Sequence, residues 1–154
     1  MKVVFLDIDG VLSFDAVTID IPSLKRLKRI LDETGAKVVL SSAWRIFPDG
    51  RDQVKEALKS IGHDMLDCTP EDGPTRGAEI NQWLREHPEV ENFVIIDDDY
   101  FDMKDDPILA PKIVKTEFED IRHDAFMRKE KPDKTLMGLT ERHMKDALFI
   151  LNRK

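Results

Sequence analysis

The sequence predicts a single domain of the α/β class, in which a central parallel sheet lies between two layers of helices. Short continuous apolar runs, such as residues 3–6, alternate with longer segments whose apolar residues recur every three or four positions. The short runs are typical of strands buried on both faces, and the longer segments are typical of amphipathic helices. Their alternation indicates parallel strands joined by right-handed helical crossovers.

The first half of the chain is predicted to contain three strands and two helices. A strand at residues 3–6 is followed by a helix that begins near Asp20 and ends at Gly35. The apolar run at 36–40 predicts a second strand. A second helix ends at Gly62, and a short third strand follows it.

The second half continues the same alternation. A helix is predicted at residues 76–87, where the helical pattern ends before a proline. A buried strand is predicted at 92–96. A last strand is predicted at 112–116. A last helix at 141–152 follows Thr140, whose hydroxyl suits the N-cap position.

Composition excludes several classes of protein. Apolar residues make up 41% and charged residues 36% of the 154 residues, and the net charge of −7 argues against broad, non-specific coating of nucleic acid. The single cysteine, Cys68, excludes an internal disulfide framework and a multi-cysteine metal site. Neither a signal peptide nor a membrane-spanning run is evident, so the expected location is cytoplasmic.

Polar residues follow the predicted strands where each strand ends. In a parallel sheet these ends meet at one edge, where ligands bind. Converging carboxylates repel one another unless a cation lies among them, and oxygen ligands without His or Cys favour Mg²⁺. A hydroxyl and a guanidinium beside such an ion suit a phosphoryl group. The residues of this set are Asp7, Asp9, Ser41, Ser42, Arg76, Asp97, Asp98 and Asp99.

These residues carry a resemblance to the haloacid dehalogenase-like (HAD) phosphohydrolases. The segment DIDGV at 7–11 resembles the first motif of that family, and Ser41 resembles its second. Arg76 stands where the family has the Lys or Arg of its third motif, and VIIDDDYFD at 94–102 resembles the acidic fourth. The resemblance implies a Rossmann-like three-layer sandwich.

The resemblance also implies a role for each acid. Asp7 would be the nucleophile that forms an aspartyl-phosphate, and Asp9 would protonate the leaving oxygen and then activate water. Mg²⁺ would be held by Asp7, by the backbone carbonyl of Asp9 and by Asp98. Asp97 is the second choice as that metal ligand and a predicted partner of Arg76.

The remaining site residues are predicted to bind the substrate. Ser41 and the amide after it would bind a phosphate oxygen, and Arg76 would balance charge in the transition state. Gly10, Ser42 and Arg45 are expected on the substrate side of the site. Ser42 has an alternative interpretation as a helix cap.

Chain length between the motifs and a second set of similarities indicate the substrate class. The short connections after 7–11 and after Cys68 leave no room for a cap domain, and an open site suits a large substrate. The phrases FLDIDGVL, VVLSSAWR and RGAEINQWL are similar to capless HAD domains associated with RNA repair, which implies a polynucleotide-end phosphatase. A small phosphorylated metabolite or nucleotide is the alternative substrate, and a non-catalytic binding module is the alternative function.

One segment, residues 117–137, fits the HAD pattern poorly. It is predicted to be a basic amphipathic insertion within the single domain 1–154. A surface helix, a nucleic-acid contact and a dimer interface all remain open for it, as does the oligomeric state. Its cationic residues are Arg122, Arg128, Lys129, Lys131 and Lys134.

Overall fold

The computed structural model describes residues 1–153 and contains a five-stranded sheet. The strand order is β3-β2-β1-β4-β5, and every neighbouring pair is parallel. The predicted parallel sheet is therefore confirmed. The strands are β1 (Lys2–Leu6), β2 (Lys37–Leu40), β3 (Met65–Cys68), β4 (Asn92–Asp97) and β5 (Ile113–Lys115).

Helices cover both faces of the sheet, because alternate residues of each central strand point to opposite sides. One core contains Val4 and Leu6 together with residues of α1, α2 and α5, and the other contains Val3 and Phe5 with residues of α3. This arrangement confirms the three-layer sandwich. The helices are α1 (Ile21–Thr34), α2 (Pro48–Ser60), α3 (Arg76–Glu86), α4 (Glu119–Met127) and α5 (Glu141–Leu151).

The strand register aligns the ends of the three central strands. Leu6 is paired with Leu40 on β2 and with Ile96 on β4. The next residue on each strand is polar, so Asp7, Ser41 and Asp97 lie side by side at the carboxyl edge of the sheet.

No cap domain interrupts the described residues, as the sequence predicts. Loop 7–20 joins β1 to α1, and loop 69–75 joins β3 to α3. The carboxyl edge of the sheet is therefore not covered by an inserted domain. Over residues 1–153, no helix has both the length and the apolar character required to cross a membrane.

The segment at 117–137 forms the short helix α4 and an irregular return to α5. Within α4 only Ala125 is buried, whereas Phe126 and Met127 are largely exposed. The segment carries five cationic and six acidic side chains, so its cations do not give it a net positive charge. It is a surface helix, and contact with nucleic acid or a second copy stays a prediction.

Candidate active site

Three carboxylates meet at the carboxyl edge of the sheet. One oxygen each of Asp7, Asp97 and Asp98 lies within 4.8 Å of the others. Burial, followed by the negative charge of Asp97, raises the pKa of Asp7 well above its ordinary value. Burial raises the pKa of Asp98 to about 6, and the charge of Asp97 adds to this effect. Crowded, desolvated carboxylates of this kind favour a bound proton or cation.

Arg76 supplies positive charge to this cluster. Its Nη1 lies 2.6 Å from Oδ2 of Asp97 and 3.5 Å from Oδ2 of Asp7. Arg76 is the first residue of α3, and its backbone N–H donates to Oδ2 of Asp102 over 2.8 Å. Asp97 at the end of β4 and Asp102 in the segment after it therefore fix the guanidinium and the backbone of Arg76, respectively.

The hydroxyl of Ser41 makes no hydrogen bond with the described part of the protein. Its Oγ is buried and has no hydrogen-bond partner among residues 1–153, whereas its backbone N–H donates to the carbonyl of Leu6 over 2.8 Å. A buried hydroxyl without a partner destabilises the fold, so such a group indicates a place for a ligand oxygen. Ser42 differs, because its Oγ accepts from the N–H of Trp44 over 3.3 Å and caps a short 3₁₀ turn.

Gly10 allows the loop after β1 to approach Asp98 closely. Its φ is 79°, in the left-handed region, and a Cβ at this position would clash with Oδ2 of Asp98. The Gly10 carbonyl also accepts a hydrogen bond of 2.8 Å from Oγ1 of Thr116, after β5. Gly10 therefore holds the loop against the carboxylate cluster by its backbone.

Asp9 lies in the same loop but is held by a different partner. Its Oδ1 accepts a hydrogen bond from Nε1 of Trp44 over 2.9 Å. The ring of Trp44 is buried in the core between the sheet and α2. The contact of Trp44 with an acid 35 residues away has no signal in the local sequence pattern.

Comparison with known families decides the classification. Residues 3–120, well over half of the chain, match the model of a family described as the HAD domain in Swiss Army Knife RNA repair proteins. The chain belongs to this family. The matched residues of this HAD domain include all four motifs. No curated protein and no solved structure matches the chain.

The position of Arg45 in this HAD domain corrects a prediction from the sequence. Arg45 was expected on the substrate side, but only 5% of it is exposed. Its guanidinium donates to the carbonyls of Ser42, Thr69 and Pro70 and forms an ion pair of 3.0 Å with Glu79. The charge of Arg45 is thus paired with Glu79 of α3 and not with a substrate.

The donor set of this HAD domain fits a hard divalent cation. Asp7 and Asp98 offer carboxylate oxygens within reach of one another, and neither His nor Cys belongs to the cluster. Asp97 already accepts from Arg76 through Oδ2 and from the N–H of Asp99 through Oδ1. Asp98 is therefore the better candidate for the metal ligand that accompanies Asp7.

Proposed function

We propose that the protein is a Mg²⁺-dependent phosphomonoesterase that acts through an aspartyl-phosphate on Asp7. The observation that carries this proposal is the row of residues at the strand ends. It places a buried acid, an unpartnered Ser41 hydroxyl and the Arg76 guanidinium at one edge of the sheet. A phosphoryl group needs a nucleophile, hydrogen-bond donors and positive charge in such an arrangement.

In the first half of the reaction, an oxygen of Asp7 forms a bond to phosphorus while the bond between phosphorus and the ester oxygen breaks. Asp9 donates a proton to the departing oxygen. The hydroxyl of Ser41 and the guanidinium of Arg76 hold the non-bridging oxygens as negative charge builds on them. Water then attacks the phosphorus of the aspartyl-phosphate, and Asp9 accepts a proton from that water. The bond between phosphorus and the Asp7 oxygen breaks, which regenerates the Asp7 carboxylate and releases inorganic phosphate.

Mg²⁺ would be held by Asp7, by Asp98 and by the backbone carbonyl of Asp9. When bound, it would supply positive charge that offsets the repulsion between carboxylates and phosphate. Arg76 keeps Asp97 engaged through the 2.6 Å contact, so Asp97 would orient Arg76 instead of binding the ion.

A polynucleotide end is the substrate that the family description favours, because the matching family consists of HAD domains from RNA repair proteins. The uncovered edge of the sheet supports the same proposal, since a large substrate can reach it without the opening of a lid. A single phosphorylated nucleotide would fit the same edge and is the alternative substrate.

The chemistry is tested by turnover of p-nitrophenyl phosphate with Mg²⁺. Wild type should release phosphate, and Asp7→Asn should lose at least about a thousandfold in kcat, because an amide is a poor nucleophile. Asp64→Asn, on the surface, is the matched control and should keep the wild-type rate. Equal rates for wild type and Asp7→Asn would rule out the mechanism, and absence of Mg²⁺ binding would instead indicate a non-catalytic module.

The substrate is tested by comparing oligonucleotides phosphorylated at the 3′ or 5′ end with free nucleotides. A polynucleotide-end phosphatase should prefer the oligonucleotides, and that preference should weaken as salt rises, because contacts with the phosphate backbone are salt-dependent. Equal kcat/KM for oligonucleotides and free nucleotides at all salt concentrations would favour the small substrate.

A further inference from the structure

A cleft of about 390 Å³ opens beside Asp9, and the carboxylate cluster formed by Asp7, Asp97 and Asp98 does not contribute to its lining. This volume lies in the range of small-molecule sites. Because Asp9 is both a wall of the cleft and the proposed acid for the departing oxygen, a group bound in the cleft would lie beside the acid that protonates the leaving group. Its other walls include Val17, Trp44, Phe47, Asp49 and Gln53.

The lining of the cleft is mostly apolar and contains aromatic rings. Trp44 forms one wall, and Val17 and Phe47 expose about two thirds of their surface beside it, 67% and 65% respectively. The charged residues among the lining are Asp9 and Asp49, and lysine and arginine do not contribute to it. The cleft therefore suits a flat apolar group with N–H donors, and it repels a phosphate backbone.

Phe47 occupies a position that helix stability alone would not select. It is the N-cap residue of α2 and makes no side-chain capping bond. Ser, Thr, Asp or Asn at an N-cap stabilises a helix by about 1 kcal/mol relative to an apolar residue. An exposed aromatic ring at a position where a capping side chain would stabilise the helix is typical of a residue that binds a ligand.

The walls of the cleft are held in place before any ligand arrives. A Cβ at Gly50 would lie 2.5 Å from the carbonyl oxygen of Trp44, so the first turn of α2 packs tightly against the 3₁₀ turn Ala43–Ile46. The amide of Gln53 donates to the carbonyl of Val17 and ties the loop after β1 to α2. A preformed cleft requires little ordering when a ligand binds.

We propose that this cleft binds the nucleobase of the nucleoside that carries the scissile phosphate. The ring of Phe47 stacks on the base, and the carboxylate of Asp49 accepts a hydrogen bond from a base N–H. The inference rests on the proposed function, because it makes the nucleoside the leaving group on the Asp9 side. It also limits the substrates to those with a base next to the phosphate.

A binding experiment tests the cleft without any turnover. The protein has two tryptophans, and Trp83 is packed against His87 in the opposite core. The NMR signals of the two indole N–H groups therefore report on different parts of the molecule, and the spectrum of Trp44→Phe assigns them. Adenosine should shift the Trp44 signal of the wild-type protein saturably, whereas ribose should not. The Trp83 signal should stay in place with either compound.

Two alanine variants make the test specific. Phe47→Ala should weaken adenosine binding about tenfold, which is in the range measured for loss of one stacking ring. Phe149→Ala is the matched control, because Phe149 on α5 has nearly the same exposure, 66%, and should bind adenosine like wild type. Equal shifts with ribose and adenosine, no shift with adenosine, or unchanged adenosine affinity in Phe47→Ala would overturn the proposal.

The outcome separates this inference from the phosphatase proposal. Turnover of p-nitrophenyl phosphate without adenosine binding would leave the phosphatase in place and remove the nucleobase site. Adenosine binding that Phe47→Ala weakens, in a protein that turns over no phosphoester, would support the nucleobase site and contradict the phosphatase.

Discussion

The indole N–H of Trp44 donates a 2.9 Å hydrogen bond to Oδ1 of Asp9. The two residues belong to the loops after β2 and β1, and the pairing of Leu6 with Leu40 brings these loops side by side. One oxygen of Asp9 is thus fixed by a buried ring, which leaves the other oxygen free to face a substrate. Trp44 acts as a positioning residue for the proposed acid.

Trp44→Phe should reduce kcat most for substrates with poor leaving groups. The change keeps an aromatic ring but removes the N–H, so Asp9 is no longer oriented for proton donation. We expect a loss of about tenfold for alkyl phosphates and a much smaller loss for p-nitrophenyl phosphate, whose leaving group needs little protonation. The measurement is kcat against leaving-group pKa, and an equal loss across the series would contradict the positioning role.

Gly10→Ala should destabilise the protein by about 1–3 kcal/mol, because the new Cβ would meet Oδ2 of Asp98 and φ is positive. It should also weaken Mg²⁺ binding, since Asp98 must move. Urea unfolding and Mg²⁺ titration measure the two effects. Gly35→Ala is the matched control: its φ is 69°, but a Cβ there meets nothing within 4 Å. Equal Mg²⁺ affinity in both variants would exclude the contact with Asp98.

Arg45→Met should destabilise the fold by about 3–5 kcal/mol, because it leaves Glu79 buried without its partner. The double change Arg45→Met with Glu79→Leu should recover much of this loss, since it removes both buried charges. The free energies of urea unfolding of wild type, both single variants and the double variant form a double-mutant cycle. A stable Arg45→Met protein with a raised KM would instead restore Arg45 to the substrate side.

His143→Gln should make stability less sensitive to mild acid. Burial, followed by the charge of Arg142, lowers the pKa of His143. Its Nδ1 accepts from the N–H of Thr140 over 3.2 Å and completes the capping box of α5. The folded state therefore disfavours protonation of His143. The stability that neutral His143 contributes is present above its unfolded pKa, about 6.5, and is lost as pH falls below that value.

Thermal midpoints between pH 7.5 and 5 measure this effect. Gln suits the third position of a capping box, so His143→Gln keeps the cap and removes the titration. Wild type should lose more stability than His143→Gln over this range. Parallel curves for the two proteins would contradict the assignment.

Asp98→Asn should stabilise the protein without Mg²⁺ and abolish the further stabilisation that Mg²⁺ gives. The raised pKa of Asp98, about 6, means that its ionisation, half complete near pH 6 and nearly complete at pH 7.5, opposes folding at neutral pH. We expect the midpoint at pH 7.5 to rise by about 2–4 °C without Mg²⁺. Asp99→Asn, at an exposed neighbour, is the control. An unchanged Mg²⁺ effect in Asp98→Asn would make Asp97 the ligand.

The sequence predicted the sheet and its acidic edge because both depend on local patterns. Buried parallel strands are continuous apolar runs, and the runs of the three central strands β1, β2 and β4 each lead into a polar residue, so the edge could be predicted residue by residue. Asp7, Ser41 and Asp97 were found in this way. The pattern also contained the residues that end α1, α2 and α3, namely Gly35, Gly62 and Pro88.

The residues that escaped prediction depend on contacts between distant segments. Arg45 follows the strand end by a few positions, and only the 3₁₀ turn and Glu79, 34 residues away, decide that its side chain points inward. The contact between Trp44 and Asp9 depends on the register of β1 and β2 in the same way. For the segment at 117–137, counting cations without the interspersed acids overstated its positive charge.

The separation of Asp7 and Asp97 is set by the hydrogen-bond ladder between β1 and β4, which the N–H of Asp7 extends by donating to the carbonyl of Ile96. The spacing of the two acids is therefore a property of the sheet itself. Surrounding loops can lengthen, shorten or change sequence over evolution without altering that spacing. New specificities can thus arise around an unchanged pair, the proposed nucleophile and the acid that holds Arg76.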